Sequence, residues 1–202
     1  MRLDLLNNSL HSVYDALSHI QIAESYPYSE REFDSDSHTV EWKNEGGHIC
    51  FYIEGYSKPP KSYHYKFAIL SLIQGIELLL KSFVSTHRHE SLFKGKERKT
   101  INLHEALKIS LSIQPGIFSE DQRMLIVRAV DIRNEMQHYQ FSHTLNEVRE
   151  ISRELFIVIL KFAKDSHGID VAKHFEFDQW TDREDPVYKV IVNLKMNLYK
   201  NA

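Results

Sequence analysis

The spacing of the apolar residues is the feature that most constrains the fold of this 202-residue chain. Over residues 3 to 23, and again over residues 62 to 85, apolar side chains recur at steps of three and four residues, which is the spacing of one face of an α-helix. The positions are Leu3, Leu6, Leu10, Val13, Leu17 and Ile20, and then Phe67, Leu70, Ile73, Ile76, Leu80 and Val84. The pattern predicts two long amphipathic helices.

Three further helices are predicted from the polar residues that can cap their first turns. These residues are Asn102, Ser119 with Gln122, and Thr144 with Glu147. The helix after Asn102 should cover about residues 103 to 112, and the helix after Ser119 should carry the stretch RNEMQHY at 133 to 139. The last should run to Gly168, because glycine suits the left-handed position after a helix. Four long helices and one short helix make a bundle.

Two segments lie outside this predicted bundle. Residues 27 to 60 contain two strand-like runs flanking the turn sequence NEGG at 44 to 47, which predicts an inserted β-hairpin. Residues 169 to 202 form a C-terminal extension with a terminal helix of about 187 to 199. The expected architecture is a single all-α domain whose core comprises residues 1 to 26 and 61 to 168.

Composition limits the setting in which the chain works. A net charge of −3 argues against a broad non-specific surface for nucleic acids, although a local basic patch remains compatible with it. A single cysteine, Cys50, excludes an internal disulfide framework, and the first helix has no leader before it, so we expect a cytoplasmic protein. The most apolar segment, residues 67 to 83, is interrupted by polar residues, so no membrane span is expected.

Arginine and histidine lie five positions apart in RNEMQHY. Each helical residue advances about 100° around the axis, so Arg133 and His138 diverge by roughly 140°, while Asn134 and His138 share a face. The core stripe of this helix is predicted to be Leu125, Ala129, Ile132, Met136 and Tyr139. A second apolar strip, Ile126 and Val130, would pack against a second copy of the chain, so that both copies line one cleft.

With these residues the chain resembles the HEPN domains, α-helical bundles of prokaryotic defence, toxin–antitoxin and RNA-processing systems. Their ribonuclease motif is an arginine, four to six residues and a histidine, matched here by Arg133 and His138, with Asn134 as the polar residue that often follows the arginine. The segment GIELLLKSF at 75 to 83 is similar to the family's long helix, and the resemblance covers about residues 61 to 167. It implies a homodimeric endoribonuclease acting as a toxin or antiviral effector, with an antitoxin or defence-system protein as a further partner.

The bare spacing of this motif occurs three times in the chain. The other two pairs are Arg31 with His38 and Arg98 with His104. Such a short pattern arises readily by chance. Only Arg133 and His138 lie on one predicted helix, beside a core stripe and after a leucine-rich helix, so context selects this pair.

The residue types fit cleavage of RNA without a metal or other cofactor. Histidine, with an ordinary pKa near 6.5, serves as acid or base at neutral pH, so His138 can move protons on the 2′-hydroxyl or the leaving oxygen. Arg133 offers a charged planar fork to phosphate oxygens, where negative charge develops during the reaction. Asn134 would orient His138 or bond the phosphate or ribose. In a two-fold dimer, two histidines would divide the acid and base roles.

A basic loop and two histidine groups are the remaining candidates. Lys94, Lys96, Arg98 and Lys99 are positioned to touch an RNA backbone, or to form an ordinary solvated connection. His87 with His89, and His48 with Cys50, are metal-ligand types, but neither pair has an assigned third ligand. No metal site and no cofactor are therefore predicted.

A non-catalytic function is the alternative. In a degenerate HEPN-like module, Arg133 would pair with Glu77 or another carboxylate inside the bundle, and His138 would be a hydrogen-bonded residue at a helix end. The protein would then dimerise or hold a partner without cutting RNA.

Overall fold

The computed structural model describes residues 4–25, 44–45, 48–49, 60–95, 99–137 and 144–171. Helices dominate these ranges, so the predicted all-α class is confirmed. The five α-helices are α1 (Leu5–Ser25), α2 (Pro60–His87), α3 (Leu103–Ile113), α4 (Glu120–Gln137) and α5 (Leu145–His167). A 3-10 helix, His89–Leu92, follows α2. The short strands β1 (Asn44–Glu45), β2 (His48–Ile49), β3 (Phe93–Lys94) and β4 (Lys99–Thr100) complete the described elements.

The predicted caps are present at the helix starts. The Asn102 side chain accepts a hydrogen bond from the Glu105 backbone N–H, and the Glu105 side chain accepts one from the Asn102 backbone N–H. Ser119 and Gln122 exchange the same pair of bonds before α4, at 3.2 and 2.9 Å. Thr144 accepts from the Glu147 N–H before α5. Each contact satisfies donors that the first helical turn leaves unpaired, so these residues set where the helices begin.

Helices α1 and α2 run antiparallel and approach closely at Gly75. The Ser9 hydroxyl donates a 2.7 Å hydrogen bond to the Gly75 carbonyl oxygen. The contact between the two helices, called the seam below, also places His19 beside His64. A Cβ at position 75 would lie 2.8 Å from Cγ2 of Val13. Gly75 is therefore required by the close packing of α1, which compensates for its low helix propensity.

The packing of α2 accounts for its apolar composition. By length and composition alone the stretch His64–His87 could cross a membrane, but more than half of its most apolar 18 residues are buried inside the bundle, as in the core helix of a globular domain. Helices α1, α3, α4 and α5 all contact α2. Because several helices contact α2, apolar residues occupy more than one face of this helix.

One end of the bundle is defined by aromatic contacts. Phe83 of α2 packs edge-on against Phe162 of α5, and Phe162 contacts Phe118, which lies just before α4. His167, at the end of α5, lies 3.3 Å from the Leu79 carbonyl oxygen. The C-terminal ends of α2 and α5 therefore meet near the start of α4. The C-terminal half of α4 lies farther from that end of the bundle.

The insertion is confirmed as a hairpin only in its centre. Strands β1 and β2 are antiparallel, with Asn44 opposite Ile49 and Glu45 opposite His48. Asn44 and Glu45, which we assigned to the turn, belong to the paired strand instead, because the ladder continues closer to the two glycines than predicted. The rest of the insertion and the predicted helix at 187–199 lie outside the described residues.

The connection after α2 also contains structure that we did not predict. We expected a basic loop without secondary structure around Lys94 to Lys99, but β3 and β4 form a second antiparallel pair, with Phe93 opposite Thr100. Leu92 and Ile101, which flank this pair, are buried, and the Ile101 N–H donates to the Leu92 carbonyl oxygen at 3.0 Å. Two buried side chains thus anchor a short hairpin whose strands are too polar to show alternation.

Candidate functional site

Helix α4, which carries the start of the predicted motif, buries a wider face than we expected. Ala129, Ile132 and Met136 are buried, as predicted for the core stripe. Ile126 and Val130 are also buried, at 1% and 2% exposure, within the single chain. The prediction that these two side chains contact a second copy is therefore wrong, because the other helices of the bundle already cover them.

Arg133 lies on this buried side of α4. Its position is about 20° around the helix axis from Ile126, although the arginine is only partly buried because it lies near the end of the helix. A long side chain can bury its stem and still bring its charged group toward water. The Arg133 side chain therefore leaves α4 on its buried side and is partly exposed near the C-terminal end of the helix, a position called the rim of the bundle below.

Asn134 holds the guanidinium at that rim. The Nε and Nη2 atoms of Arg133 both donate to Oδ1 of Asn134, at 3.3 and 3.1 Å. Asn134 itself is exposed. Two donors on one acceptor restrain the plane of the guanidinium, so the structure brings these two predicted residues together in one contact.

His138, the third predicted catalytic residue, lies outside the described residues. It is the residue after Gln137, where the described part of α4 ends. Its position relative to Arg133 stays a prediction.

Glu77, which we considered as a structural partner of Arg133, has a different partner. Its Oε1 lies 2.7 Å from Nζ of Lys81, one turn later on α2, and the lysine is buried. A buried ammonium needs a nearby carboxylate to offset its desolvation. The Glu77–Lys81 pair thus satisfies the charges of α2 internally, and the hydrogen bonds of Arg133 go to Asn134.

The basic loop forms a separate location. Lys94 and Lys99 are exposed and lie opposite one another on β3 and β4, while Lys96 and Arg98 lie outside the described ranges. Lys94 makes an ion pair with Glu105, which also caps α3. This carboxylate partly offsets the positive charge that we expected to face an RNA backbone.

The described residues of the loop, Lys94 and Lys99, do not form one cluster with Arg133 and Asn134. Arg88, between α2 and the loop, donates to Ser112 at the end of α3, so this region lies near the C-terminal end of α2. Helix α4 starts near that same end, and Arg133 is about 20 Å further along its axis. An RNA touching both regions would have to extend along the bundle.

The described histidines near the ends of α2 and α5 contact backbone carbonyl or hydroxyl oxygens. His87 Nδ1 lies 2.9 Å from the Phe83 carbonyl oxygen, and His89 Nδ1 lies 3.1 Å from the Ser85 hydroxyl. Burial lowers the pKa of His167, and the Leu79 carbonyl oxygen partly opposes that shift. Among the residues with described positions, no group of three or more His, Cys, Asp or Glu is arranged to hold a metal ion.

One close contact between α1 and α2 was not predicted from the sequence. The Nδ1 atoms of His19 and His64 lie 3.1 Å apart although the residues are 45 positions apart in the chain. The ring of Phe67 stacks on His19, with 5.2 Å between centroids. Burial lowers the pKa of both imidazoles below the ordinary value. No local motif links such distant positions, so only the packing of the two helices reveals the pair.

Comparison with protein-family models, curated proteins and solved structures found no match to this chain. The resemblance to HEPN domains therefore rests on the residues of the motif and on the helical architecture alone.

Proposed function

We propose that the protein is a metal-independent endoribonuclease whose site contains Arg133, Asn134 and His138. The observation that carries this proposal is the Arg133–Asn134 contact at the C-terminal end of α4. Among the hydrogen bonds of the described residues, those of the Arg133 side chain go to a neutral amide, so its positive charge is not neutralised by a carboxylate there. A planar, positively charged guanidinium that is partly exposed can donate two hydrogen bonds to a phosphate group.

Asn134 connects the two predicted roles in this site. It binds the guanidinium and lies four positions before His138, on the face that a continued helix would share with the histidine. Arg133 would stabilise the charge that develops on the phosphorane, and His138 would transfer a proton. The division of acid and base roles between two histidines requires a second copy of the chain, so a homodimer is part of the proposal.

The dimer contact would use a different part of α4 from the one first predicted. Ile126 and Val130 are buried, whereas Met124 and Val127 are exposed, at 64% and 37%. Apolar side chains on a helix surface are a suitable contact for another protein chain. A role as a toxin or antiviral effector, with RNA as substrate and an antitoxin or defence protein as partner, completes the proposal.

The test is cleavage of single-stranded RNA by purified protein in EDTA. We expect wild-type protein to cut, and His138→Ala to reduce the rate by about 10²- to 10⁴-fold through loss of proton transfer. Arg133→Lys should also lose activity, because lysine keeps the charge but lacks the planar fork.

Two matched variants serve as controls. Arg128→Lys alters an arginine on the same helix that pairs with Glu147, and His11→Ala removes an exposed histidine of α1. Both should cut like wild type, and melting temperatures should be similar throughout. EDTA-resistant cleavage that survives His138→Ala and Arg133→Lys would contradict the assignment of these residues.

A non-catalytic interaction module is the second candidate, and the exposed pair Met124 and Val127 favours it. Under this interpretation the protein binds a second copy or a partner through α4 without cutting RNA. Light scattering that shows a dimer lost in Val127→Glu, together with no cleavage by any variant, would support the module over the enzyme.

A further inference from the structure

Two histidines meet across the packed seam between α1 and α2. Their Nδ1 atoms are 3.1 Å apart, and both side chains are partly buried. The antiparallel helices that carry them are held together by the Ser9–Gly75 hydrogen bond and the Val13–Gly75 contact elsewhere on the seam. Because the backbones are fixed by this packing, the imidazoles are positioned before any ligand arrives.

The separation of the two nitrogens matches that of two ligands on one metal ion. Zinc binds histidine nitrogen at about 2.0–2.1 Å. Two such bonds to nitrogens 3.1 Å apart enclose an angle of roughly 100° at the ion. This value lies near the tetrahedral angle, so an ion could be bound by both Nδ1 atoms once each ring turns its lone pair from the other nitrogen toward the ion.

We propose that His19 and His64 bind one divalent transition-metal ion of the zinc type and thereby link α1 to α2. In the metal-free pair, one Nδ1–H donates to the lone pair of the other ring. On metal binding that proton moves to Nε2, so that both Nδ1 atoms present lone pairs to the ion.

The surroundings favour a cation at this position. Burial lowers the pKa of both histidines, so they are neutral at pH 7 and the metal does not have to displace a charge. Asp15 lies one helical turn before His19, and its negative charge acts on that ring. The Phe67 ring covers one side of His19.

Water or the Asp15 carboxylate would supply the remaining ligands. In the described part of the chain, no third protein ligand is already close enough to complete the site. Asp15 is exposed and shares a face with His19, so a change of its rotamer would bring a carboxylate toward the ion. Imidazole nitrogen with carboxylate or water is a ligand set that zinc accepts.

The experiment is a calorimetric titration of the 202-residue chain, without an affinity tag, with Zn²⁺ at pH 7.5. We expect one ion per chain. His19→Gln and His64→Gln should each weaken binding by more than about 10- to 100-fold, the loss typical of removing an outer partner of a ligand. Zinc should also raise the melting temperature of wild type and leave that of both variants unchanged.

Two controls separate this pair from other histidines. His11→Gln removes an exposed histidine of α1, and the double variant His87→Gln/His89→Gln removes the pair with metal-ligand spacing in sequence. Both should bind zinc like wild type. Absence of binding at about 100 µM Zn²⁺, a concentration that would detect even weak sites, would overturn the proposal. Binding that is lost in the His87/His89 double variant and kept in His19→Gln would do so too.

If either glutamine variant does not fold, wild-type protein decides the question. In ¹⁵N spectra of the imidazole rings, zinc should shift the Nδ1 signals of His19 and His64 together. A shift of neither signal, or of only one, contradicts a shared ion. These measurements do not depend on RNA cleavage, so the metal proposal and the ribonuclease proposal can fail separately.

Discussion

Polar side chains are positioned differently in the seam between α1 and α2 and in the C-terminal half of α4. In the seam, His19 and His64 are placed by two long helices packed around Gly75. In α4, Arg133 and Asn134 are adjacent in sequence and contact one another at the rim of the bundle. A change in the seam should therefore alter stability, whereas a change at the rim should alter binding or chemistry while the fold persists.

The largest expected effect is on the stability of variants of α4, and it tests which face of this helix is buried. Val130→Glu should lower the free energy of unfolding by at least about 3 kcal/mol, because it buries an unpaired charge among the helices. Val127→Glu, three positions earlier on the exposed side, should change it by less than about 0.5 kcal/mol. Urea unfolding measures both. Equal stability of the two variants would show that the 126/130 strip is not part of the core.

A smaller effect is expected at the closest approach of α1 and α2. Gly75→Ala should cost about 1–2 kcal/mol, since overpacking against Val13 exceeds the gain in helix propensity. In combination with Val13→Ala the alanine should fit, so the double variant should be more stable than the sum of the single changes predicts. Simple additivity in this double-mutant cycle would mean that the seam is not tightly packed at position 75.

The smallest expected effect is a pH dependence of stability, to which the seam histidines and His167 contribute. Burial lowers the pKa of His19, His64 and His167 below about 6.5, so near and below that pH the folded state binds fewer protons than the unfolded state. Stability should be highest above this value and decrease as pH falls through the window below it. Urea unfolding at two pH values on either side measures the change.

His64→Gln removes one of these titrating groups and should make the decrease shallower. His11→Gln, an exposed change on α1, should leave it as in wild type. A stability that rises on acidification over this range would contradict the assigned direction of the shifts.

Helix starts and ends were predictable because their determinants are local. Asn102 with Glu105, Ser119 with Gln122, and Thr144 with Glu147 make their bonds within three residues, and Gly168 has the left-handed φ of 68° expected after α5.

The hairpin of β3 and β4 escaped prediction for the opposite reason. Its strands are two residues long and polar, and its position depends on Leu92 and Ile101 reaching the core of the bundle. The periodicity of apolar residues cannot reveal a hairpin that is held in place by only two buried side chains, one on each side of a polar turn.

By itself, the sequence determined the helical class and the caps of α3, α4 and α5, because these depend on contacts within a few positions. Only the tertiary structure decided that Ile126 and Val130 belong to the core, that Gly75 admits α1, and that His19 meets His64. A helical pattern shows which residues share a face, but the neighbour that covers that face is chosen by packing between segments distant in the chain.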